Sequence, residues 1–259
     1  MNTASSWAGK TIWVTGGAGH LGAPITAALD GAGAQVLCFD LEGRAERLVD
    51  EMKLGRTTGL TVDFSDADAL PTRINELVTS YGVPDGIAHL AFASSAGKRL
   101  EQLTPEDFQQ TFHRALTPTF VVCRDLAERM KARGSGSIVL FSSMYGVVAP
   151  DPRIYSDPLT PNPIDYGASK AALLQLCRYF AVHYGPSNVR FNCVTPGPFP
   201  NSTVQRTHPD FVSQLARKTA LNRIGQNYEI VGPTLFLLGD GASFVTGHSL
   251  VVDGGWTAW

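Results

Sequence analysis

The chain has 259 residues, of which 44% are hydrophobic and 17% are charged, with a formal net charge of −2. This composition is globular, so we predict one α/β domain over residues 1–259 with a flexible tail at 1–8. A charge this small gives no reason to expect nucleic acid or an anionic membrane surface as a partner. No apolar stretch reaches membrane-spanning length and the first ten residues lack an apolar signal core, which predicts a cytoplasmic location.

Short apolar runs alternate with helical stretches along the whole chain. Strands are predicted at 11–15, 35–39, 58–62, 86–91, 137–142, 189–194 and 249–252. Helices are predicted between them, including long ones from about Pro105 to Arg133 and from about Tyr166 to Tyr184. Such alternation is typical of a parallel sheet covered by helices on both faces, so we predict a Rossmann-type, doubly wound α/β fold.

The first predicted strand runs into a glycine-rich turn, Gly16-Gly-Ala-Gly-His-Leu-Gly22, and then into an alanine-rich helix. Strand, glycine turn and helix form the context of a dinucleotide-binding fingerprint, in which a pyrophosphate meets free amides at the helix amino terminus. The second predicted strand is followed by Asp40, a carboxylate placed to accept hydrogen bonds from the adenosine ribose. Its charge would repel a 2′-phosphate, so the sequence favours NAD over NADP, although Arg44 is near enough to modify that preference.

Tyr166 and Lys170 lie four residues apart at the start of a predicted helix, which places them on adjacent turns of one face. A nearby positive charge stabilises a phenolate, so we predict a lowered pKa for Tyr166 and a role in proton transfer. The pair Ser142-Ser143 ends the fifth predicted strand shortly before.

The cysteines and histidines give no sign of a metal site. Neither type shows metal-ligand spacing, and the cysteines stand singly within apolar runs. We therefore predict no metal and four buried free thiols, at Cys38, Cys123, Cys177 and Cys193.

Together these motifs resemble the short-chain dehydrogenase/reductase family, in its compact single-domain branch, from Lys10 to Trp256. The resemblance implies that Tyr166 is the general base, that Ser143 holds the substrate oxygen and that Lys170 contacts the nicotinamide ribose. It also implies alcohol oxidation by hydride transfer to NAD, and a homotetramer or homodimer. The residues implied in cofactor binding are Gly16, Gly19, His20, Leu21, Gly22, Asp40, Leu41, Asp63, Phe64, Ala91, Phe92, Tyr166, Lys170, Pro196, Gly197 and Phe199.

The chain departs from the family pattern in three places. His89-Leu-Ala-Phe92 stands where the family usually carries Asn-Asn-Ala-Gly. The asparagine that completes a proton relay in many members aligns with Ala115, beside His113 and Arg114. The separation of 23 residues between Ser143 and Tyr166 is longer than usual and resembles that of sugar-acting bacterial members.

Two proline-rich stretches, residues 147–165 and 196–210, follow strand ends, where ligands bind in open α/β sheets. They are predicted substrate walls, with plain surface loops as the alternative. The candidate substrate-lining residues are His89, Ser94, Ser95, Tyr145, Arg153, Asn201, Arg206 and His208.

This polar set favours a polyhydroxylated substrate such as a sugar, sugar acid or sugar nucleotide, and Arg153 and Arg206 would suit an anionic group. Three alternatives stay open. They are a reductase of small ketones or 3-oxoacyl substrates, an epimerase or dehydratase with a tightly held cofactor, and a non-catalytic NAD-binding protein.

Overall fold

The structure is a computed structural model that describes residues 7–93 and 97–259. Its strands are β1 (Thr11–Thr15), β2 (Gln35–Asp40), β3 (Thr57–Thr61), β4 (Gly86–His89), β5 (Gly136–Phe141), β6 (Val189–Pro196) and β7 (Ser249–Val252). They pair in parallel in the order β3-β2-β1-β4-β5-β6-β7. The predicted doubly wound parallel sheet is therefore confirmed.

The central strands are buried along almost their whole length because helices cover the sheet on both faces. In β1, for example, Ile12, Trp13 and Val14 are all buried. The fourth strand is shorter than predicted and ends at His89 instead of residue 91. Beyond it the Leu90 amide still donates to the Thr15 carbonyl at 3.0 Å, but the next amide donates to the Thr15 hydroxyl, and the chain turns away from the sheet.

The described residues also form helices α1 (Gly22–Gly31), α2 (Arg44–Met52), α3 (Leu70–Tyr81), α4 (Pro105–Thr111), α5 (Thr117–Arg133), α6 (Ile164–Tyr184), α7 (Ser202–Thr207), α8 (Pro209–Arg217) and α9 (Val231–Leu238). The prediction of one long helix over 105–133 is wrong in one respect. A π-helical turn, Phe112–Leu116, separates α4 from α5. Pro118 explains it, because this residue has no N–H to offer the Arg114 carbonyl and its ring would collide with that oxygen.

Two apolar clusters lie on opposite faces of the sheet. One surrounds Trp13 and Phe191 and includes buried side chains of α3, α5 and α6. The other surrounds Val14 and includes buried side chains of α1 and α9. Trp7, which the prediction placed in a flexible tail, is buried in this second cluster, whereas residues 1–6 lie outside the described part.

The direction of chain progression reverses between β1 and β4, and the carboxyl ends of parallel strands border a crevice at such a switch point. The glycine turn follows β1, and the serine pair follows β5, on this same edge of the sheet. The cysteines are buried and unbridged, as predicted. Within residues 7–93 and 97–259, none of the helices has the length and hydropathy that a membrane span requires.

Candidate active site

The structure brings Ser143, Tyr166 and Lys170 together where the end of β5 meets the start of α6. The Ser143 hydroxyl interacts with the Tyr166 phenol, and its oxygen also accepts the Tyr145 amide at 3.1 Å. The Lys170 ammonium lies 5.7 Å from the centre of the Tyr166 ring. This is the arrangement that the sequence predicted, and it puts a hydroxyl, a phenol and a cation around one point.

Hydrogen bonds fix α6 against β5 at this point. The Lys170 ammonium donates to the Phe141 carbonyl at 2.8 Å, and the Ser142 hydroxyl donates to the Lys170 carbonyl at 2.8 Å. Ser142 is thereby committed to the backbone, which leaves Ser143 as the serine that faces the phenol. A Cβ on Gly146 would lie 2.8 Å from the Lys170 carbonyl carbon, so the serine segment needs glycine there to pack on the helix.

The predicted direction of the Tyr166 pKa is wrong for this arrangement. Burial raises the pKa of Tyr166, and the interaction with Ser143 only partly opposes this rise. Burial also lowers the pKa of Lys170 to about 7, so near neutral pH its ammonium lies close to its titration midpoint. The spacing of tyrosine and lysine indicates that a charge is near, but it carries no information on how deeply both groups are buried.

A cleft of about 280 Å³ opens at the switch point of the sheet. Its walls include half of the predicted cofactor residues, together with Arg44 and Arg114, which were not predicted to bind the cofactor. The predicted residues on its walls are Gly16, Gly19, Asp40, Leu41, Asp63, Phe64, Ala91 and Phe92. A parallel-sheet crevice of this kind is the usual place of a dinucleotide.

The glycine turn is so tightly folded that a Cβ atom at Gly16 or Gly22 would contact neighbouring backbone atoms. Gly16 has a φ of 66°, and a Cβ there would lie 3.1 Å from the Ala91 amide nitrogen. A Cβ on Gly22 would lie only 2.1 Å from the Gly16 carbonyl oxygen. His20 and Leu21 complete the turn, α1 has no side-chain cap at its start, and the Ala23 amide donates to the Gly19 carbonyl at 2.9 Å. The residues present therefore fit a pyrophosphate at this helix terminus.

Asp40 ends β2 with its carboxylate almost fully buried. Its oxygens accept hydrogen bonds from the Ala18 amide at 3.0 Å and from the Leu41 amide at 2.8 Å. One oxygen also pairs with Arg44 at 3.2 Å. Because a carboxylate offers about four acceptor positions, a ribose hydroxyl would have to share Asp40 with this guanidinium.

The remaining predicted cofactor residues lie at the other side of the site. Pro196 ends β6 opposite Val252, and a Cβ on Gly197 would lie 2.4 Å from the Asp253 Cα. Phe199 lies on the wall of a separate cavity of about 380 Å³. The structure therefore places these three residues near β7, apart from the cleft that holds Asp40.

His89 is a buried link between three elements, and both of its ring nitrogens are engaged by threonine hydroxyls, which corrects its prediction as a substrate contact. Its Nδ1 lies 2.8 Å from the Thr15 hydroxyl and its Nε2 lies 3.1 Å from the Thr119 hydroxyl. Thr119 donates onward to the Ala115 carbonyl at 2.7 Å. Since the Thr119 proton is used there, Nε2 carries the imidazole proton and Nδ1 accepts from Thr15. The chain of bonds ties β1 and β4 to the π-helical turn.

The link through His89 should make stability depend on pH. Burial lowers the pKa of His89 to about 3. Below about pH 6.5 the His89 imidazole binds a proton in the unfolded chain but not in the native protein. The free energy of unfolding should therefore fall by about 1.4 kcal/mol per pH unit below that value. We expect His89→Gln to remove about 2 kcal/mol of the loss between pH 7 and pH 5, measured by urea unfolding. His183→Gln, on the exposed side of α6, is the matched control, and an unchanged slope in His89→Gln would contradict the assignment.

Neither neighbour of Ala115 takes the place of the missing asparagine. Ala115 is buried in the π-helical turn, whereas His113 and Arg114 are exposed, and Arg114 faces the cofactor cleft. Adjacent helical residues point in different directions, so a substitute one position away cannot reproduce the same geometry.

The proline-rich stretch before α6 forms one wall of a cavity of about 730 Å³. Residues 98–101 form the opposite wall, and Arg99 pairs with Asp157 across it at 2.5 Å. Tyr155 also lines this cavity, and its hydroxyl lies 2.7 Å from that of the buried Tyr145. The predicted substrate wall at 147–165 thus borders a cavity large enough for a small molecule.

Some of the other predicted substrate residues already bond to nearby groups. Arg153 pairs with both oxygens of Asp151, and its side chain is 84% exposed. Asn201 caps α7 by accepting the Val204 amide at 3.0 Å. Arg206 is exposed on α7, and His208 lies between α7 and α8. Ser94 and Ser95 lie outside the described residues.

The fold and the site together define a class of protein. Dehydrogenases and reductases combine a parallel sheet that has a glycine turn at its switch point with a nearby serine, tyrosine and lysine. A family model described as enoyl-(acyl carrier protein) reductase matches residues 16–257. The chain belongs to the short-chain dehydrogenase/reductase family and is an oxidoreductase, as its motifs predicted.

Individual relatives match over nearly their whole length. The chain is 30% identical to a 2,5-dichloro-2,5-cyclohexadiene-1,4-diol dehydrogenase of Sphingobium indicum, over 98% of this chain and 99% of the relative. It is 30% identical to a galactitol 2-dehydrogenase (L-tagatose-forming) of Cereibacter sphaeroides, over 97% and 96%. A short-chain dehydrogenase of Leptospira borgpetersenii, solved with bound NAD⁺, is 30% identical over 97% and 94%, with a TM-score of 0.86.

Proposed function

We propose that this protein is a single-domain, NAD-dependent dehydrogenase that reversibly oxidises a secondary or hemiacetal hydroxyl of a polar, polyhydroxylated substrate. The observation that carries the proposal is the meeting of Ser143, Tyr166 and Lys170 beside a cleft that contains Asp40. Relatives whose names specify a diol and galactitol as substrates support the substrate class.

In the proposed reaction Tyr166 takes the hydroxyl proton of the substrate, and in the reverse direction it returns one. Ser143 holds the same oxygen by hydrogen bonding, a role that depends on geometry. Lys170 supplies positive charge against the phenol and contacts the cofactor ribose. The nicotinamide ring, when bound, accepts or supplies the hydride. Because burial raises the pKa of Tyr166, the protein depends on this positive charge to ionise the phenol near neutral pH.

The charges around the cavity support a neutral substrate over a sugar acid. Its described walls carry the cations Lys98 and Arg99 and the anions Glu101 and Asp157, which balance. Lys98 is also paired with Asp107 at 2.6 Å. With both cations engaged in ion pairs, a sugar or polyol is a better match than an anionic group.

A substrate screen tests this proposal. We would incubate the protein with neutral polyols, sugars, sugar acids, small ketones and a 3-oxoacyl thioester, each with NAD(H) and NADP(H), and follow nicotinamide absorbance. Turnover of a polyol or sugar with release of free NADH supports the proposal and argues against an epimerase. Turnover restricted to ketones or acyl thioesters would favour the reductase alternative, and cofactor binding without any turnover would favour a non-catalytic protein.

The preference for NAD rests on Asp40, and Arg44 opposes it. We expect Asp40→Ala to relax the NAD/NADP ratio of kcat/KM by about tenfold, equal to ~1.4 kcal/mol, because the charge that repels a 2′-phosphate is lost. Arg44→Ala should shift the ratio the other way by removing the guanidinium beside that carboxylate. Arg47→Ala is the matched control, since this arginine lies on α2 but bonds to the Glu42 carbonyl. An unchanged NAD/NADP ratio of kcat/KM in both Asp40→Ala and Arg44→Ala would show that Asp40 does not determine the cofactor preference.

Quaternary structure and location complete the proposal. Tyr179 and Val182 on α6 and Trp259 at the carboxyl end are large, exposed apolar side chains, which suits contact between copies of the chain. We therefore favour a homotetramer or homodimer. The four free, buried thiols suit a reducing compartment such as the cytoplasm.

A further inference from the structure

Phe92 has a contact that a cofactor-lining residue does not require. Its ring centre lies 3.6 Å from the Lys170 ammonium, whereas the ring centre of Tyr166 lies 5.7 Å from it. The same ring meets Tyr166 edge to face, with centres 5.6 Å apart and an interplanar angle of 86°. The family usually has glycine at this position, so the ring is a feature of this chain.

The surroundings of Lys170 explain why such a contact matters. The residue is 5% exposed, and its ammonium donates to the Phe141 carbonyl at 2.8 Å. The titratable groups that face it are His89 on β4, Cys193 on β6 and Tyr166 on its own helix. Burial lowers the pKa of His89 and raises the pKa of Tyr166, and the hydrogen bond with Cys177 together with burial raises the pKa of Cys193, so none of them supplies a negative charge at neutral pH in the protein without cofactor.

No carboxylate among the described residues therefore accompanies this buried cation. The negative face of an aromatic ring attracts an ammonium, and the attraction strengthens when both are removed from water. A leucine would fill similar space but would give no such attraction. The Phe92 ring and the Phe141 carbonyl are thus the groups that stabilise the buried ammonium of Lys170 electrostatically.

We propose that Phe92 is a positioning residue of this site, whose ring face keeps Lys170 charged and orients Tyr166 beside it for proton transfer. The catalytic part of this inference rests on the proposed function. The contact with Lys170 does not, and it can be tested without substrate.

The first experiment measures Lys170 in the full-length protein without turnover. The rate at which a small acylating reagent labels Lys170, followed by peptide mass spectrometry as a function of pH, gives the pKa of this amine. We expect Phe92→Leu to lower the midpoint by about one pH unit, a tenfold loss of proton affinity, and Phe92→Tyr to retain it. A change in access alters the absolute rate but not the midpoint, so an unchanged midpoint in Phe92→Leu would overturn the proposal.

The second experiment uses the pH profile of kcat with a substrate found in the screen. In Phe92→Leu the alkaline decline, which reflects loss of the Lys170 charge, should begin about one pH unit lower, and Phe92→Tyr should restore the original profile. A uniform fall in kcat with an unmoved profile would show that Phe92 is only a wall. Failure of the wild-type protein to turn over any substrate would refute the proposed function, while the labelling result would still decide the contact.

Discussion

Replacing Tyr166 by phenylalanine should lower kcat by about a thousandfold, because it removes the general base and leaves every other contact of the ring in place. The phenyl ring can still pack edge to face on Phe92, so the fold and cofactor affinity should persist. Initial rates with the best substrate, together with NADH binding followed by fluorescence, separate the two effects.

The control for this substitution is a tyrosine to which no role is assigned. Tyr81 is the last residue of α3 and is 42% exposed, so Tyr81→Phe should change kcat by less than about twofold. A Tyr166→Phe protein that keeps more than about a tenth of the wild-type activity would contradict the role of Tyr166, since general acid–base catalysis is worth at least ~10².

Replacing Gly22 by alanine should have the second large effect, on the glycine turn. The added methyl group would lie 2.1 Å from the Gly16 carbonyl oxygen and 2.8 Å from the Gly17 Cα. Both neighbours are backbone atoms, so the turn must open, at a cost of about 1–3 kcal/mol in the free energy of unfolding. We expect NADH affinity to fall at least about a hundredfold, ~2.7 kcal/mol, because the amides that would meet the pyrophosphate are displaced.

Gly31, at the other end of the same helix, provides the comparison. A Cβ there meets no heavy atom within 4 Å. Gly31→Ala should therefore leave NADH affinity unchanged and stabilise the protein by up to about 1 kcal/mol, since alanine is the better helix former. Urea unfolding and NADH titration of both variants test the pair. Equal affinities for NADH in the two variants would mean that the glycine turn does not hold the cofactor.

The location of the site could be predicted because its signals are local. The turn from Gly16 to Gly22 follows a strand directly, and Tyr166 and Lys170 share one helix face by their spacing alone. The carboxyl ends of parallel strands meet at one edge of the sheet. The predicted strands therefore also predicted that the glycine turn and the serine pair lie at the same edge. These inferences needed no knowledge of packing.

Two predicted substrate contacts are engaged by other residues, for different reasons. His89 is polar and ends β4, so it was predicted to contact the substrate, but Thr15 and Thr119 hydrogen-bond both of its ring nitrogens. These partners lie 74 and 30 residues away in the chain, so spacing along the sequence does not reveal them. Arg153 pairs with Asp151, which lies only two residues before it, so this ion pair is visible in the sequence as a local one.

By itself, the sequence determined the fold class, the family and the position of the proposed proton-transfer group, because these follow from strand alternation, the glycine turn and a four-residue helical spacing. Only the tertiary structure decided the electrostatics of that group. The pKa of Tyr166 is raised although a lysine is near, and the ring of Phe92, 78 positions before Lys170 in the chain, covers the ammonium. The physical reason is that ionisation depends on desolvation and on every charge or dipole within a few ångströms, and those neighbours come from β4, β5 and β6 as well as from α6.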